Sequence, residues 1–97
     1  MDWSKFPKKI RIVEVGPRDG LQNEKQVIKT SDKATFIKEL VEAGHQTVEV
    51  SSFVRPDRVP QMADAKQLYP MVEGLLKSGA DLPCLVPNLK GLETARE

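Results

Sequence analysis

The sequence has 97 residues, enough for one small domain or for part of a larger one. Lys and Arg number 15 and Asp and Glu 14, so the net charge of +1 gives no electrostatic reason to expect a nucleic acid or membrane partner. The single cysteine, Cys84, excludes an internal disulfide. No stretch is apolar enough to span a bilayer, and MDWSKFPKK lacks the apolar region of a secretory signal. These features predict a cytoplasmic location.

The first predicted elements are a strand and a helix. IRIVEV at 10–15 is rich in β-branched residues, which favours a strand. SDKATFIKELVEAG at 31–44 has helical periodicity, with Ser31 as the predicted N-cap and Gly44 as the stop. Its predicted buried face carries apolar residues at helical spacing, namely Ile37, Leu40 and Val41.

Two further strand and helix pairs follow. QTVEVSS at 46–52 and LPCLVP at 82–87 are predicted strands. Residues 61–78 are predicted to be helical, with Pro70 kinking or splitting the helix. We expect Asn88 to cap a last helix that runs through GLETARE. The apolar side of the second helix is predicted to comprise Leu68, Val72, Leu75 and Leu76.

The order β-α-β-α-β-α predicts an α/β fold with parallel strands joined by right-handed crossovers. The predicted strands begin near residues 10, 46 and 82, a constant spacing of 36. Eight such units amount to roughly 290 residues, close to the size of a (β/α)₈ TIM barrel. Three units cannot close a barrel, so we expect residues 1–97 to form the N-terminal portion, about the first third, of a larger α/β domain.

Polar side chains fall at the carboxyl ends of the predicted strands, where α/β folds place their functional sites. Arg18 and Asp19 follow the first strand, Glu49 lies inside the second and Asn88 follows the third. Asp19 is a hard oxygen donor suited to Mg²⁺ or Mn²⁺. Arg18 is a fixed cation suited to stabilising a developing enolate or carboxylate oxygen. A buried Glu49 would either pair with such a cation or transfer protons.

Each of these residues also has a purely structural interpretation. Arg18 and Asp19 are equally consistent with a surface turn that holds a local ion pair, and Asn88 with a helix cap. Glu49, like Glu14, is consistent with the solvated side of an edge strand. Two other reactive side chains are expected to be structural: His45 at the opposite end of the sheet, and Cys84 as a small buried residue.

Three segments together resemble one enzyme family. They are VEVGPRDGLQNE at 13–24, TVEVSSFVRPDRVPQMAD at 47–64 and LVPNLKGLE at 85–93. In this extended form they closely resemble the N-terminal third of the 3-hydroxy-3-methylglutaryl-CoA lyases. The resemblance implies a divalent-metal lyase on a TIM barrel, which cleaves this acyl-CoA to acetyl-CoA and acetoacetate.

The resemblance also assigns roles to individual positions. Asp19 matches the family's metal-ligand aspartate, for Mg²⁺ or Mn²⁺. Arg18 matches the arginine that contacts the substrate thioester oxygen and stabilises the enolate, and Glu49 matches an active-site acid. The family's other metal ligands, a His-x-His pair and an asparagine, lie in later strands, as does a cysteine on a glycine-rich loop. The 97 residues therefore resemble a fragment that is expected to be inactive alone.

Other functions are consistent with the same residues. One is a different metallolyase, or a synthase of the same barrel group that joins acyl-CoA units. Another is a non-catalytic protein that pairs through its sheet edge with itself or with a complete lyase. For a complete chain the expected partner is an acyl-CoA substrate, with a homo-oligomer left open.

Overall fold

The computed structural model describes residues 3–5 and 7–96 of the chain. Short strands and α-helices alternate along these residues, joined by 3₁₀ helices and one π-helical turn, Gly16–Gly20. No helix within the described part of the chain is long and apolar enough to cross a membrane. The regular elements are β1 (Val13–Glu14), α1 (Thr30–Glu42), β2 (Thr47–Val48), β3 (Ser51–Ser52), α2 (Ala65–Val72), β4 (Cys84–Leu85) and α3 (Leu89–Ala95).

The strands are parallel, and the segment that contains β2 and β3 lies in the middle of the sheet. β1 pairs with β2, with Val13 opposite Thr47. β3 pairs with β4, and a further bridge joins Thr47 to Asp81. The predicted parallel pairing and the neighbour order of the three strand segments are thus confirmed. The predicted strand at 10–15 was too long, since only Val13–Glu14 of it is paired within the described residues.

A β-bulge divides the predicted strand 46–52 into β2 and β3. The central segment advances four residues, from Thr47 to Ser51, while its neighbour advances three, from Asp81 to Cys84. One extra residue therefore lies in the central segment, which interrupts the regular ladder and changes the direction of the side chains around it. The extra residue lies between Val50 and Phe53: the N–H groups of Val48 and Val50 donate to Asp81 and Pro83 in regular register, whereas the next donor to that strand is Phe53, to Leu85. Glu49 therefore lies just before the bulge. Such bulges are common beside active sites.

The core lies on one face of the sheet, beneath α1 and α2. Val48 and Val50 point to this face and are fully buried. Burial of this apolar face is the main contribution to stability, at about 25 cal/mol per Å² of area removed from water. The helices add to the same cluster Ala34 and Ile37 from α1, and Leu68 and Val72 from α2. Because side chains alternate along a strand, Glu49 points away from this core.

The predicted N-cap of the first helix was wrong. Helix α1 begins at Thr30, one residue before Ser31, and Lys29 takes the N-cap position with extended backbone. The Thr30 hydroxyl instead donates a hydrogen bond to Asp64 at 2.6 Å, so a tertiary contact competes with local capping. The predicted stop is confirmed, because Gly44 follows the helix with φ of +112°, a conformation that glycine adopts without strain.

The predicted helix over 61–78 is divided into three parts. A 3₁₀ turn covers Pro60–Met62, α2 follows, and a second 3₁₀ helix covers Glu73–Ser78 up to Gly79, whose φ is +91°. Pro70 lies inside α2, and the change to 3₁₀ geometry comes three residues after it. Leu76, predicted to be buried, is 46% exposed, because the tighter 3₁₀ helix rotates it away from the core.

Helix α3 begins as predicted. The Asn88 side chain caps it by accepting a hydrogen bond from the Gly91 N–H at 2.8 Å. The helix ends at Ala95, and Glu97, the last residue of the predicted helix, lies outside the described residues. Gly91 packs directly on the chain after β3, since a Cβ built there would lie 2.3 Å from the Phe53 carbonyl oxygen.

We expect Gly91→Ala to destabilise the protein by about 1–3 kcal/mol, because the added methyl forces α3 away from Phe53. Gly74→Ala is the matched control: a Cβ at Gly74 meets no atom within 4 Å, and its φ is not positive. Urea unfolding would measure both. Equal midpoints for the two variants would show that α3 does not pack on Phe53 in this way.

Candidate active site

A tight turn after β1 sets the position of Arg18. The Val15 carbonyl oxygen accepts hydrogen bonds from three successive amides, those of Arg18 at 3.1 Å, Asp19 at 2.7 Å and Gly20 at 3.3 Å. Pro17 is buried in this turn. The chain therefore coils back on itself as soon as the strand ends, and Arg18 faces the central strand.

Gly16 leaves room for this turn. Its N–H donates to Glu14 Oε1 at 2.9 Å, and a Cβ at Gly16 would lie 2.9 Å from the same oxygen. That Cβ would also approach the Phe36 ring to 3.3 Å. Glu14 is thus half-buried against the turn, which corrects its interpretation as a solvated edge residue. Gly20 has open space around it and no positive φ, so its position in the turn does not require a glycine.

Arg18 bonds to Glu49. Arg18 Nε donates a hydrogen bond to Glu49 Oε1, and the two side chains are 19% and 16% exposed. Glu49 lies on the central segment, so the alternative that places it on a solvated edge strand is wrong. Two roles were considered for a buried Glu49, pairing with a cation and proton transfer. Its contacts show the pairing.

Asp19 lies on the outer side of the same guanidinium. Its carboxylate is 54% exposed, and Oδ1 is 3.4 Å from Arg18 Nη1. Its backbone carbonyl accepts a hydrogen bond from Asn23 Nδ2 at 2.9 Å, which gives the amide of Asn23 a structural role. Arg18 therefore has one half-buried and one exposed carboxylate beside it.

The arrangement leaves part of the guanidinium available. Arginine has five N–H donors, and the contacts to Glu49 and Asp19 engage Nε and Nη1. Nη2 makes no hydrogen bond to any residue that the structure describes. A fixed cation with unused donors at the carboxyl end of a parallel sheet is suited to an oxygen that acquires negative charge.

His45 and Asn88 lie where their structural interpretations place them. His45 precedes β2, so it lies at the end of the sheet opposite Arg18 and Asp19, with Nε2 4.0 Å from Glu14 Oε2. Asn88 follows β4 at the same end as Arg18, and its side-chain oxygen is engaged as the α3 cap. The sequence thus brings Arg18, Asp19 and Glu49 into contact and leaves Asn88 in its capping role.

Cys84 is half-buried in β4, against the core. Burial raises the pKa of its thiol to about 11, with the negative charge of Glu49 adding to the shift. A raised pKa keeps the thiol protonated at neutral pH, and the protonated form is a poor nucleophile. The prediction that Cys84 is a buried structural residue agrees with this environment.

Iodoacetamide should therefore modify native Cys84 slowly at pH 7.5, with a rate that rises toward pH 11 as the thiolate forms. Mass spectrometry of the intact protein would follow the reaction, with the urea-unfolded chain as the control for an ordinary thiol. Modification as fast in the native state as in urea would contradict the buried placement.

The donor set for a metal is small in these residues. Across residues 3–5 and 7–96, no three His, Cys, Asp or Glu side chains form a group that could hold a metal ion. Asp19 supplies one exposed hard oxygen at the carboxyl end of the sheet, which fits a single ligand position. The described residues alone do not fit a complete divalent-metal site.

Comparison with known proteins decides the family resemblance. The chain is 55% identical over 90 residues to the mitochondrial hydroxymethylglutaryl-CoA lyase of Arabidopsis thaliana, an alignment that covers 93% of this chain and 19% of that enzyme. The resemblance to hydroxymethylglutaryl-CoA lyases is confirmed. A second lyase, the 3-hydroxy-3-isohexenylglutaryl-CoA/hydroxymethylglutaryl-CoA lyase of Pseudomonas aeruginosa, is 50% identical over 92 residues, which cover 95% of this chain and 30% of that enzyme.

The backbone agrees with a solved lyase structure. The crystal structure of a hydroxymethylglutaryl-CoA lyase from Pseudomonas aeruginosa superposes with a TM-score of 0.83 at 49% identity, over 93% of this chain and 29% of that one. No protein-family model matches the chain. The chain thus spans 19% to 30% of the length of these lyases, and within that span it shares their fold and half of their residues.

Proposed function

We propose that these residues supply one corner of the active site of a lyase that cleaves 3-hydroxy-3-methylglutaryl-CoA to acetyl-CoA and acetoacetate. The observation that carries the proposal is the Arg18–Glu49 pair, with Asp19 beside it, at the carboxyl end of parallel strands. The identity of 50% and 55% to enzymes of that activity supports the choice of reaction.

The architecture we propose for the complete protein is a (β/α)₈ barrel. Both α1 and α2 pack on the same face of the sheet, against Val48 and Val50. A barrel places every helix on this one outer face, and both helices meet that requirement. Glu49 points away from the helices, which in a barrel is toward the interior. Exposed apolar side chains suit burial by further units; they include Ile12, just before β1, Val13 in β1 and Leu85 in β4.

The reaction we propose is a retro-aldol cleavage of the Claisen type. A base takes the proton of the C3 hydroxyl, the C3–O bond becomes a carbonyl, and the C2–C3 bond breaks. Its electron pair passes to the thioester as the enolate of acetyl-CoA, which is then protonated at C2. The C3 side leaves as acetoacetate. Negative charge develops on the thioester oxygen as the C2–C3 bond breaks.

Arg18 is proposed to stabilise that charge. Its guanidinium is held by the turn after β1 and by Glu49, so it needs no reorganisation when the charge appears. Nη2 is the donor that these contacts leave for the thioester oxygen. Glu49 is proposed to orient Arg18 and to serve as the active-site acid of the second strand unit.

Asp19 is proposed as a ligand of Mg²⁺ or Mn²⁺, together with residues beyond this segment. When bound, a divalent ion would lower the pKa of the substrate's C3 hydroxyl. Asp19 suits this role because its carboxylate is half exposed and makes only a long contact, 3.4 Å, with Arg18.

A second candidate function differs in the acyl group of the substrate. The Pseudomonas aeruginosa relative acts on 3-hydroxy-3-isohexenylglutaryl-CoA as well as on the methyl compound, according to its name. A longer C3 substituent is therefore the alternative substrate for this protein. Lyases of this kind occur in mitochondria and in bacteria, so a cytoplasmic location stays a prediction.

A graft tests the proposal. The 97 residues would replace the matching segment of the Pseudomonas aeruginosa lyase, and acetoacetate formation would be assayed with both acyl-CoA substrates and Mg²⁺ or Mn²⁺. We expect the graft to cleave the methyl substrate and Asp19→Asn to abolish most of that activity. Asp57→Asn is the matched control, since Asp57 is 63% exposed and pairs with Arg55.

Two outcomes would contradict the proposal. An inactive graft that folds normally would show that these residues do not serve this reaction. Equal activity of the Asp19→Asn and Asp57→Asn grafts would remove Asp19 from the site. A third outcome combines an inactive graft with stable self-association of the ungrafted chain in size-exclusion chromatography. That outcome would favour a non-catalytic protein that pairs through its sheet edge.

A further inference from the structure

A second group of charged residues lies beneath the loops at the same end of the sheet. The Lys33 side chain on α1 is only 1% exposed, which is unusual for a lysine. Its ammonium donates hydrogen bonds to the Gln61 carbonyl oxygen and to Asp64 Oδ1, the latter at 2.7 Å. The Thr30 hydroxyl donates to the other oxygen, Asp64 Oδ2, at 2.6 Å. Both carboxylate oxygens of Asp64 are thus engaged.

These contacts join three parts of the chain. Lys33 and Thr30 belong to the first turns of α1, while Gln61 and Asp64 belong to the segment that leads into α2. The Gln61 side chain in turn donates from Nε2 to the Glu24 carbonyl oxygen at 2.7 Å. That carbonyl lies in the loop that follows the Arg18 turn.

The same segment reaches the bulge of the central strand. Met62, next to Gln61, is buried, and its sulfur accepts a hydrogen bond from the Ser51 hydroxyl at 3.6 Å. Ser51 is two residues beyond Glu49. A continuous set of contacts therefore connects Lys33 to both strand ends that carry the Arg18–Glu49 pair.

The burial of Lys33 fixes the positions of its hydrogen-bond acceptors. A buried ammonium is costly unless it is paired and hydrogen-bonded, so Lys33 holds its two acceptors in one place. Replacing such a pair by apolar side chains often leaves stability unchanged or raises it, so stability alone does not account for a buried pair. A role in fixing the position of nearby loops does account for it.

We propose that the Lys33–Asp64 pair is a positioning device, which fixes the loops 21–29 and 53–64 so that Arg18 and Glu49 keep their hydrogen bond. The proposal rests on the function proposed above for the grafted enzyme. Lys33 does not touch the Arg18–Glu49 pair, and it acts through Gln61 and Met62.

The first test separates positioning from stability in the graft. Lys33→Met leaves Asp64 without its partner, so it should lower both the melting temperature and kcat. The double variant Lys33→Met/Asp64→Leu should recover the melting temperature, because no buried charge is left unpaired. We expect its kcat to stay about 10²-fold below that of the parent, because a small misplacement of catalytic groups has effects of that size. Lys38→Met, on the exposed side of α1, is the matched control.

The second test needs no substrate. With ¹⁵N-arginine labelling, the Arg18 Nε–H signal, assigned by its loss in Arg18→Met, should be protected from solvent exchange in the parent graft. We expect the double variant to lose that protection, and Lys38→Met to keep it. Loss of protection in a graft that cleaves no acyl-CoA would leave the positioning role standing and remove the proposed function.

Two results would overturn the positioning role. One is recovery of kcat together with the melting temperature in the double variant, which would make the pair purely structural. The other is unchanged protection of the Arg18 signal in that variant. If Lys33→Met fails to fold, the double variant and the milder Asp64→Asn still allow both tests, the kcat comparison and the Arg18 exchange measurement.

Discussion

Arg18→Met in the grafted lyase should lower kcat on the order of 10²-fold or more, while KM changes little. In the proposed mechanism Arg18 meets a full negative charge only when the enolate forms, so its loss raises the barrier more than it weakens binding. Methionine retains much of the side chain's length and removes the charge. Steady-state kinetics of 3-hydroxy-3-methylglutaryl-CoA cleavage would measure the change.

Arg11→Met is the matched control for this substitution. Arg11 pairs with Asp81 and donates to the Thr47 hydroxyl at 3.0 Å, at the opposite end of the sheet from Arg18. We expect its kcat to equal that of the parent graft. If Arg18→Met raised KM and left kcat unchanged, Arg18 would be a docking residue for the substrate and not a stabiliser of the enolate.

The 97-residue chain by itself should show no acetoacetate formation, even with saturating Mg²⁺ or Mn²⁺. Hard divalent ions take about six oxygen or nitrogen ligands in fixed geometry. The described residues bring one candidate ligand, Asp19, to the carboxyl end of the sheet. The face of the sheet that carries Glu49 is also open, which weakens the electrostatic effect of Arg18.

The assay of the 97-residue chain needs a control for contaminating host enzyme. Asp19→Ala serves that purpose, because activity from a contaminant would be unaffected by the substitution. Turnover that is present in the parent chain and absent in Asp19→Ala would contradict the expectation. It would mean that the three strand units assemble a working site on their own.

Much of the fold follows from local sequence patterns. The three strand segments, their parallel order and the glycine stop at Gly44 come from periodicity and from backbone preferences that act over a few residues. The cap by Asn88 is predicted for the same reason. The placement of Arg18 and Glu49 at one end of the sheet follows from the order of elements alone.

The remaining features depend on contacts that are distant in sequence. The bulge between β2 and β3 lies in VEVSS, where no glycine or proline marks an irregular strand. Lys33 falls at an ordinary helix position, and its burial arises only when Asp64, 31 residues later, packs above it. The sequence carries no signal for the bulge. For Lys33, helical periodicity gives one: it lies four residues before Ile37 and so falls on the predicted buried face of the helix.

The central claim is that Arg18 stabilises the enolate of acetyl-CoA. The most direct test is the exchange of the acetyl methyl protons of acetyl-CoA for deuterium in D₂O. Exchange requires the enolate but no C–C cleavage, and proton NMR of acetyl-CoA with the graft would follow it. We predict that the graft catalyses exchange and that Arg18→Met slows it by about the same 10²-fold as cleavage. Exchange at the parent rate in Arg18→Met, with cleavage lost, would contradict the role assigned to Arg18.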